Sequence, residues 1–279
     1  HTNGSISVKS CDSKLQSTIG EEKANNRFLN IDNFDAFITE LEQTIVDISN
    51  RKYLYDIVKY NINGYETLNE SLFRLNQPIS PEIVYRMVDK ENILLLDTRE
   101  QNTLPSEYIK GSLTIPINQM FCIWSGTLLK DSNIVILCDD GKEEDCILKL
   151  LKIGIYNIKG YVKEGFSKWK RYDLPVQSTS VVKTIDTSKY VYNKEYKLLD
   201  VREENKTKGT LPNTIHIPLS RLESKLSLIP QSQDIYIISE DNTTSLLSFL
   251  YLKLNRFDSI YILEDGITGI KKNNIPLLN

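Results

Sequence analysis

The chain has 279 residues, which at roughly 100–200 residues per domain predicts about two domains. Its 37 acidic and 34 basic side chains leave a net charge of −3. This charge offers no basic excess to hold a phosphate backbone, so nucleic acid is not expected as a partner. The longest apolar runs fall far short of the roughly 20 residues of a membrane helix, so a membrane is not expected either.

Residues 1–79 show helical patterning. Asp32 is predicted to cap a helix whose apolar side chains share one stripe, namely Phe34, Phe37, Ile38, Leu41, Ile45 and Ile48. A second helix is predicted over residues 52–60, ending near Asn63. Two helices make a thin core for an independent domain. Since the chain also opens on His1 instead of methionine, we expect these residues to end a larger domain that begins upstream.

The remainder of the chain contains an internal repeat. The segment Leu95-Leu96-Asp97-Thr98-Arg99-Glu100 recurs as Leu198-Leu199-Asp200-Val201-Arg202-Glu203. The pairs Ile115-Pro116 and Ile217-Pro218 then follow in the same order. The repeat predicts two copies of one domain. The first copy spans residues 80–177, the second copy spans residues 183–279, and a linker is expected at residues 177–180.

Each copy alternates short apolar runs with helical spacing. In the first copy, residues 93–96 and Ile134–Leu137 are continuous apolar runs, as in strands buried on both faces of a parallel sheet. Helices are predicted over residues 146–152 and 166–172, with a strand between them at residues 156–162. This order predicts an α/β fold in which helices flank a parallel sheet.

Several motifs in a fixed order resemble the rhodanese (sulfurtransferase) domain. They are Asp97, Arg99 and Glu100 at a strand end, residues 108–112 with Ile115-Pro116, the loop from Cys138 to Gly141, and residues 161–166 with Trp169. The second copy keeps the aspartate–arginine motif, Ile215-His216-Ile217-Pro218 and Asp265-Gly266. The resemblance implies two tandem rhodanese-like domains.

A finer resemblance is to a fusion family, in which a metallo-β-lactamase-fold domain of persulfide dioxygenase or hydrolase type precedes two rhodanese domains. It rests on residues 17–26, 115–129 and 138–144. It implies that residues 1–79 are the C-terminal remnant of the metallo-β-lactamase-like domain, with His1 near the last metal-site histidine. Zinc or iron is implied for the full-length parent. This chain is expected to bind no cofactor, because His1 and His216 are its only histidines.

Cys138 is the candidate nucleophile. A working rhodanese lowers the pKa of such a thiol with loop amides, a helix N-terminus and basic side chains. Gly141 lets the loop curl, and Lys142 supplies a cation that could bind a sulfur donor. Five carboxylates oppose this chemistry, namely Asp139, Asp140, Glu143, Glu144 and Asp145. Cys138 is therefore either a persulfide carrier or a buried small residue, and the charge favours the second.

The second copy has Ser239 at the same position, and a serine hydroxyl cannot form a persulfide. Its loop lacks both glycine and arginine, so we expect a scaffold there. His216 is expected to be packed and hydrogen-bonded. The aspartates and arginines of the two motifs are expected to pair with neighbouring backbone or charges in a structural role.

The cysteines also bear on location. Cys11, Cys122, Cys138 and Cys146 form no Cys-x-x-Cys pair and predict reduced thiols in a cytoplasmic protein. Cys122 and Cys146 are expected in the core.

Three functions remain open. The chain could be an inactive scaffold or interaction module of a sulfur-metabolism protein, an active sulfurtransferase using Cys138, or a fragment of a metal-dependent hydrolase or persulfide dioxygenase. A sulfane-sulfur donor or acceptor and a homo-oligomer are the compatible partners.

Overall fold

The computed structural model describes residues 16–49, 52–91, 93–100, 104–129, 132–183, 195–204, 209, 211–272 and 274–275. Within these ranges, no helix is both long and apolar enough to cross a membrane. The chain divides into two compact units. The first holds the described residues up to Ser71 together with Asn118–Asp131 and Leu148–Tyr156, and the second holds Leu72–Ile117, Ser132–Ile147 and Asn157–Asn279.

The α-helices follow one another through both units. In chain order they are α1 (Ile19–Asn25), α2 (Phe34–Ser49), α3 (Lys52–Asn63), α4 (Leu68–Leu75), α5 (Pro81–Lys90), α6 (Phe121–Leu128), α7 (Glu143–Leu151), α8 (Gly165–Arg171), α9 (Asn242–Leu254) and α10 (Gly266–Lys272). Short 3-10 helices occur at Arg27–Asn30, Leu219–Arg221 and Glu223–Leu228.

The first unit is helical. Helix α3 packs against α2 and α6, and the rings of Tyr60, Tyr65 and Tyr156 contact one another with centroids 3.8–5.1 Å apart. The predicted second helix ends at Asn63, as expected. The predicted cap at Asp32 is wrong by one residue. The Asp35 and Ala36 amides donate to Oδ1 of Asn33 at 2.8 and 3.2 Å, so Asn33 satisfies the first free amides of α2.

The second unit contains two five-stranded sheets and one two-stranded sheet, which β3 and β7 form. The strands are β1 (Pro78–Ile79), β2 (Leu94–Asp97), β3 (Glu107–Tyr108), β4 (Ser112–Thr114), β5 (Ile134–Leu137), β6 (Ile158–Val162), β7 (Gln177–Ser178), β8 (Val181–Val182), β9 (Tyr196–Asp200), β10 (Thr214–His216), β11 (Asp234–Ile238) and β12 (Ile260–Leu263).

The two five-stranded sheets are parallel and share one topology. The first has the strand order β1-β6-β5-β2-β4, and the second has the order β8-β12-β11-β9-β10. Their central strands are buried on both faces, which explains why Ile134–Leu137 is apolar without interruption. The predicted α/β fold with helices flanking parallel sheets is confirmed. Each sheet begins slightly before its predicted copy, at Pro78 and Val181.

The predicted linker at residues 177–180 is partly strand. Strand β7 pairs antiparallel with β3, and the Thr179 amide donates to the Ser106 carbonyl at 3.0 Å. The polar composition of this segment suggested a loop. Its backbone groups instead find partners in a distant two-residue strand, which local sequence does not reveal.

Each sheet has its own apolar core. The first core consists of Val84, Ile93, Leu95, Ile109, Val135, Leu137, Val162 and Trp169. The second consists of Leu198, Leu211, Tyr236, Ile238, Leu263, Ile267 and Ile270. The Trp169 ring is fully buried, and its Nε1 donates to the Pro175 carbonyl at 3.2 Å.

Candidate functional site

Cys138 lies where the sequence predicts it, directly after β5 at the carboxyl end of the first sheet. Cys138 is only 4% exposed to solvent. The end of β5 is fixed to the neighbouring strand, because the Thr98 amide and Oγ1 both donate to the Leu137 carbonyl, at 2.8 and 3.3 Å. The thiol is therefore held at a rigid strand end and is largely removed from water.

The loop after Cys138 turns into α7. Gly141 has φ +81°, a conformation that side chains disfavour, and no atom lies within 4 Å of the position a Cβ would take. The Lys142 amide donates to the Asp139 carbonyl at 3.1 Å, which closes the turn. The structure thus brings Cys138, Gly141 and Lys142 together on one loop, with Gly141 and Lys142 exposed to solvent.

The surroundings of Cys138 disfavour its thiolate. Burial is the largest cause that raises the pKa of Cys138, and the neighbouring Cys146 together with Glu143, Asp139 and Asp140 raises it further. The result lies far above the usual range of a cysteine. Tyr161 begins the motif at residues 161–166 but was not predicted as a site residue. Burial raises its pKa, and the neighbouring Glu143, Cys138 and Asp140 raise it further.

Arg99 carries the cationic group of the aspartate–arginine motif in the first copy. Its Nε and Nη2 donate to the Asp97 carboxylate at 2.8 and 2.6 Å, and its guanidinium lies 4.1 Å from the centre of the Phe166 ring. Burial alone would lower the pKa of Arg99, but the Asp97 carboxylate and the charge of Asp139 raise it. Asp97 and Arg99 therefore pair with each other, and the Arg99 charge is directed to carboxylates.

Two glycines allow helices to approach the strand ends closely. Gly165 has φ +56°, and a Cβ there would lie 2.9 Å from the Cys138 carbonyl oxygen. In the second copy Gly266 has φ +45°, and a Cβ would lie 2.3 Å from the Ser239 carbonyl oxygen. The Ile267 amide donates to that same oxygen at 2.9 Å. The repeated Gly165 and Gly266 were the sequence signal for this close approach.

A Cβ has open space at Gly141 but would overlap the Ser239 backbone at Gly266, so substitution by alanine should have unequal effects at the two positions. Gly141→Ala should cost about 1–2 kcal/mol of unfolding free energy, because only the left-handed backbone is penalised. Gly266→Ala should cost about 1–3 kcal/mol more, because its methyl group also overlaps backbone atoms. Urea unfolding of both variants measures the difference. Equal losses would contradict the close approach at Gly266.

In the second copy the equivalent residue, Ser239, forms hydrogen bonds through its hydroxyl within its own loop. Ser239 is 1% exposed, and its Oγ donates to the Asp241 carbonyl at 2.8 Å and shares a hydrogen bond with Ser245 Oγ. The Asp241 carboxylate accepts from the Thr244 amide at 2.7 Å and so caps α9. Ser239 is thus part of a helix-capping network.

The second aspartate–arginine pair is deeply buried. The side chains of Asp200 and Arg202 are each 2% exposed and joined by two short hydrogen bonds, Nε–Oδ1 at 2.9 Å and Nη2–Oδ2 at 2.7 Å. Arg202 Nη2 also donates to the Gly209 carbonyl at 3.0 Å. The His216 Nε2 lies 2.9 Å from the Arg202 carbonyl oxygen, which confirms the predicted hydrogen-bonded histidine.

The remaining cysteines differ from each other. Cys146 is buried as predicted, whereas Cys122 is only half-buried, with its Sγ 4.0 Å from the Lys149 carbonyl oxygen. His1 and Cys11 lie outside the described residues. In the described part of the chain, no group of three or more His, Cys, Asp or Glu side chains could hold a metal ion. Those residues therefore do not fit a zinc or iron site.

Comparison with known proteins finds the same domain family in both copies. Residues 80–172 and 182–273 each match the rhodanese-like domain family. The thiosulfate sulfurtransferase GlpE of Actinobacillus succinogenes is 28% identical over 107 residues, which are 38% of this chain and 96% of that protein.

Solved structures include SseA of Escherichia coli, described with the 3-mercaptopyruvate sulfotransferases. It is 12% identical, covering 68% of this chain and 98% of that chain at a TM-score of 0.32. A thiosulfate sulfurtransferase of Pseudomonas aeruginosa is 14% identical, covering 70% of this chain and 44% of that chain at a TM-score of 0.33.

Proposed function

Since this chain belongs to the rhodanese-like domain family and carries two such domains in tandem, we propose that both are non-catalytic and act as a scaffold or interaction module of a sulfur-metabolism protein. One observation carries the proposal: Cys138, the only cysteine at a rhodanese catalytic position, is buried, and burial together with the neighbouring carboxylates raises its pKa. A protonated thiol is a poor nucleophile, and negative charge repels anionic sulfur donors.

The second copy supports the same function. Its equivalent residue is Ser239, whose hydroxyl is held by Asp241 and Ser245. A sulfur carried as a persulfide needs a thiolate, which this copy does not offer at that position.

We further propose that the whole protein is a metallo-β-lactamase-fold and rhodanese fusion located in the cytoplasm. The resemblance of residues 17–26 and 115–129 to that family supports the fusion. The metal-dependent hydrolase or persulfide dioxygenase chemistry, with zinc or iron, would then belong to the upstream part. Coding sequence upstream of His1 tests this proposal, since a His-x-His-x-Asp-His motif is expected there, and its absence would contradict it.

A second candidate function is sulfur transfer at Cys138. The strand end, the positive φ of Gly141 and the helix that follows form the arrangement that a persulfide carrier needs. The thiolate would attack the outer sulfur of thiosulfate, the sulfur–sulfur bond would break, and sulfite would leave with the electron pair. A sulfane-sulfur donor and acceptor would then be the partners, and a homo-oligomer is compatible with either function.

Cyanolysis separates the two candidates. The purified chain is incubated with thiosulfate and cyanide, which takes the outer sulfur of a persulfide as thiocyanate. We expect the same background thiocyanate from the unsubstituted chain, from Cys138→Ala and from the matched thiol deletion Cys146→Ala. Thiocyanate that is formed by the unsubstituted chain and by Cys146→Ala, but lost in Cys138→Ala, would establish sulfur transfer instead.

A further inference from the structure

Helix α9 of the second copy is buried around its whole circumference. Eight consecutive residues are buried, namely Ser245, Leu246, Leu247, Ser248, Phe249, Leu250, Tyr251 and Leu252. The equivalent helix of the first copy, α7, instead exposes Glu144 and Asp145. A helix that is buried on every side must pack against more than its own sheet.

The two surfaces that α9 contacts belong to different copies. It packs on β11 and β12 of its own sheet and also on β4 of the first copy. The ring of Phe249 meets the ring of Tyr108 edge to face, with centroids 5.7 Å apart and planes at 90°. This geometry is favourable for an aromatic pair, and both residues are nearly or fully excluded from solvent.

The burial of the two edge strands differs accordingly. Strand β4 is buried along its whole length, whereas the equivalent edge strand of the second sheet, β10, is only half-buried throughout. The two sheets share one topology, so the repeat alone does not explain this difference. Helix α9 of the second copy covers β4 of the first copy, whereas β10 remains half-buried.

The start of α9 is fixed by the residues that replace the catalytic loop. The Ser239 hydroxyl donates to the Asp241 carbonyl at 2.8 Å and accepts from the Ser245 hydroxyl, whose Oγ also lies 3.2 Å from the same carbonyl oxygen. The Asp241 side chain accepts from the amide and hydroxyl of Thr244 at 2.7 and 3.0 Å. These contacts tie the helix to the end of β11.

We propose that the second copy is a structural support for the first, in which Ser239 and its network hold α9 over strand β4. The residue at the catalytic position has become a positioning residue for a helix between the domains. The stability of the first copy then depends on residues of the second copy. This proposal holds whether or not Cys138 carries sulfur.

Tryptophan fluorescence can test this dependence. The only two tryptophans, Trp124 and Trp169, both lie in the first copy. In a Trp124→Phe background, the fluorescence of Trp169 therefore reports the first sheet alone. Phe249→Ala in the second copy is expected to lower the urea midpoint seen by Trp169 by about 1 M or more. Ser239→Ala should lower it in the same direction. Leu254→Ala, which changes an exposed side chain on the same helix, should leave it unchanged.

Hydrogen exchange provides a second readout if Phe249→Ala does not fold. The milder Phe249→Leu keeps an apolar side chain but removes the ring contact with Tyr108. We expect the amides of Ser112–Thr114 to exchange about tenfold faster in this variant, because covering by α9 is weakened. An unchanged Trp169 midpoint in Phe249→Ala, or unchanged exchange of β4 in Phe249→Leu, would overturn the proposal.

Discussion

Replacing Arg202 by alanine is expected to lower the free energy of unfolding by about 3–5 kcal/mol, because it leaves the Asp200 carboxylate buried without its partner. Both side chains are only 2% exposed, so the Asp200 carboxylate is shielded from bulk water. Asp200 is the last residue of β9, at the carboxyl end of the second sheet, and it pairs there with both β10 and β11. The charge left behind would therefore destabilise the end of three neighbouring strands.

The measurement is urea unfolding with two controls. The double variant Asp200→Asn/Arg202→Met removes both charges, and the Asn carbonyl oxygen can still accept from the residue 202 amide, as Asp200 does now at 3.1 Å. The double variant should lose less unfolding free energy than Arg202→Ala does. Arg99→Ala, at the equivalent but more exposed pair, should also lose less. A loss below about 1 kcal/mol in Arg202→Ala would contradict a buried ion pair, because exposed pairs contribute that little.

Cys138 is expected to react with iodoacetamide at least about tenfold more slowly at pH 7.5 than a free cysteine, of which about a tenth is then ionised. Burial and nearby carboxylates raise the pKa of its thiol, so the protonated form dominates throughout the neutral range. Below that raised pKa, the thiolate fraction grows with pH. The rate should therefore increase about tenfold per pH unit from pH 7 to 10 without a plateau.

Mass spectrometry of labelled peptides gives the rate at each cysteine. Cys122 is an internal comparison, since burial raises the pKa of its thiol while Lys149 and Lys152 lower it. Glu143→Gln should speed labelling of Cys138 modestly, because burial is the larger cause of the raised pKa. A plateau in the Cys138 rate near neutral pH would show an ionised thiol and would contradict the inactive site.

The sequence predicted the features that depend on local pattern or repetition. Continuous apolar runs such as Ile134–Leu137 predicted buried parallel strands. The recurrence of this run at residues 235–238 placed Cys138 and Ser239 at equivalent strand ends. The acidic loop was equally visible, since adjacent carboxylates need no tertiary information.

Features that depend on distant partners were not predicted. The segment at Gln177 looked like a linker because its strand partner, β3, lies far away in the sequence. Leu246–Leu252 was visible as an apolar run, but its composition does not say which surface covers each side. The stacking of Phe166 on Arg99 and the position of Tyr161 beside the thiol likewise arise from tertiary packing of separate segments.

The cover that α9 gives to β4 has a consequence for biosynthesis. Strand β4 is translated well before α9, and at roughly 5–20 residues per second the ribosome needs about ten seconds to make the intervening chain. During that interval the edge of the first sheet is open to other nascent or unfolded chains. A chaperone that binds nascent chains would be needed most in this period, and truncation before Asn242 should yield aggregates.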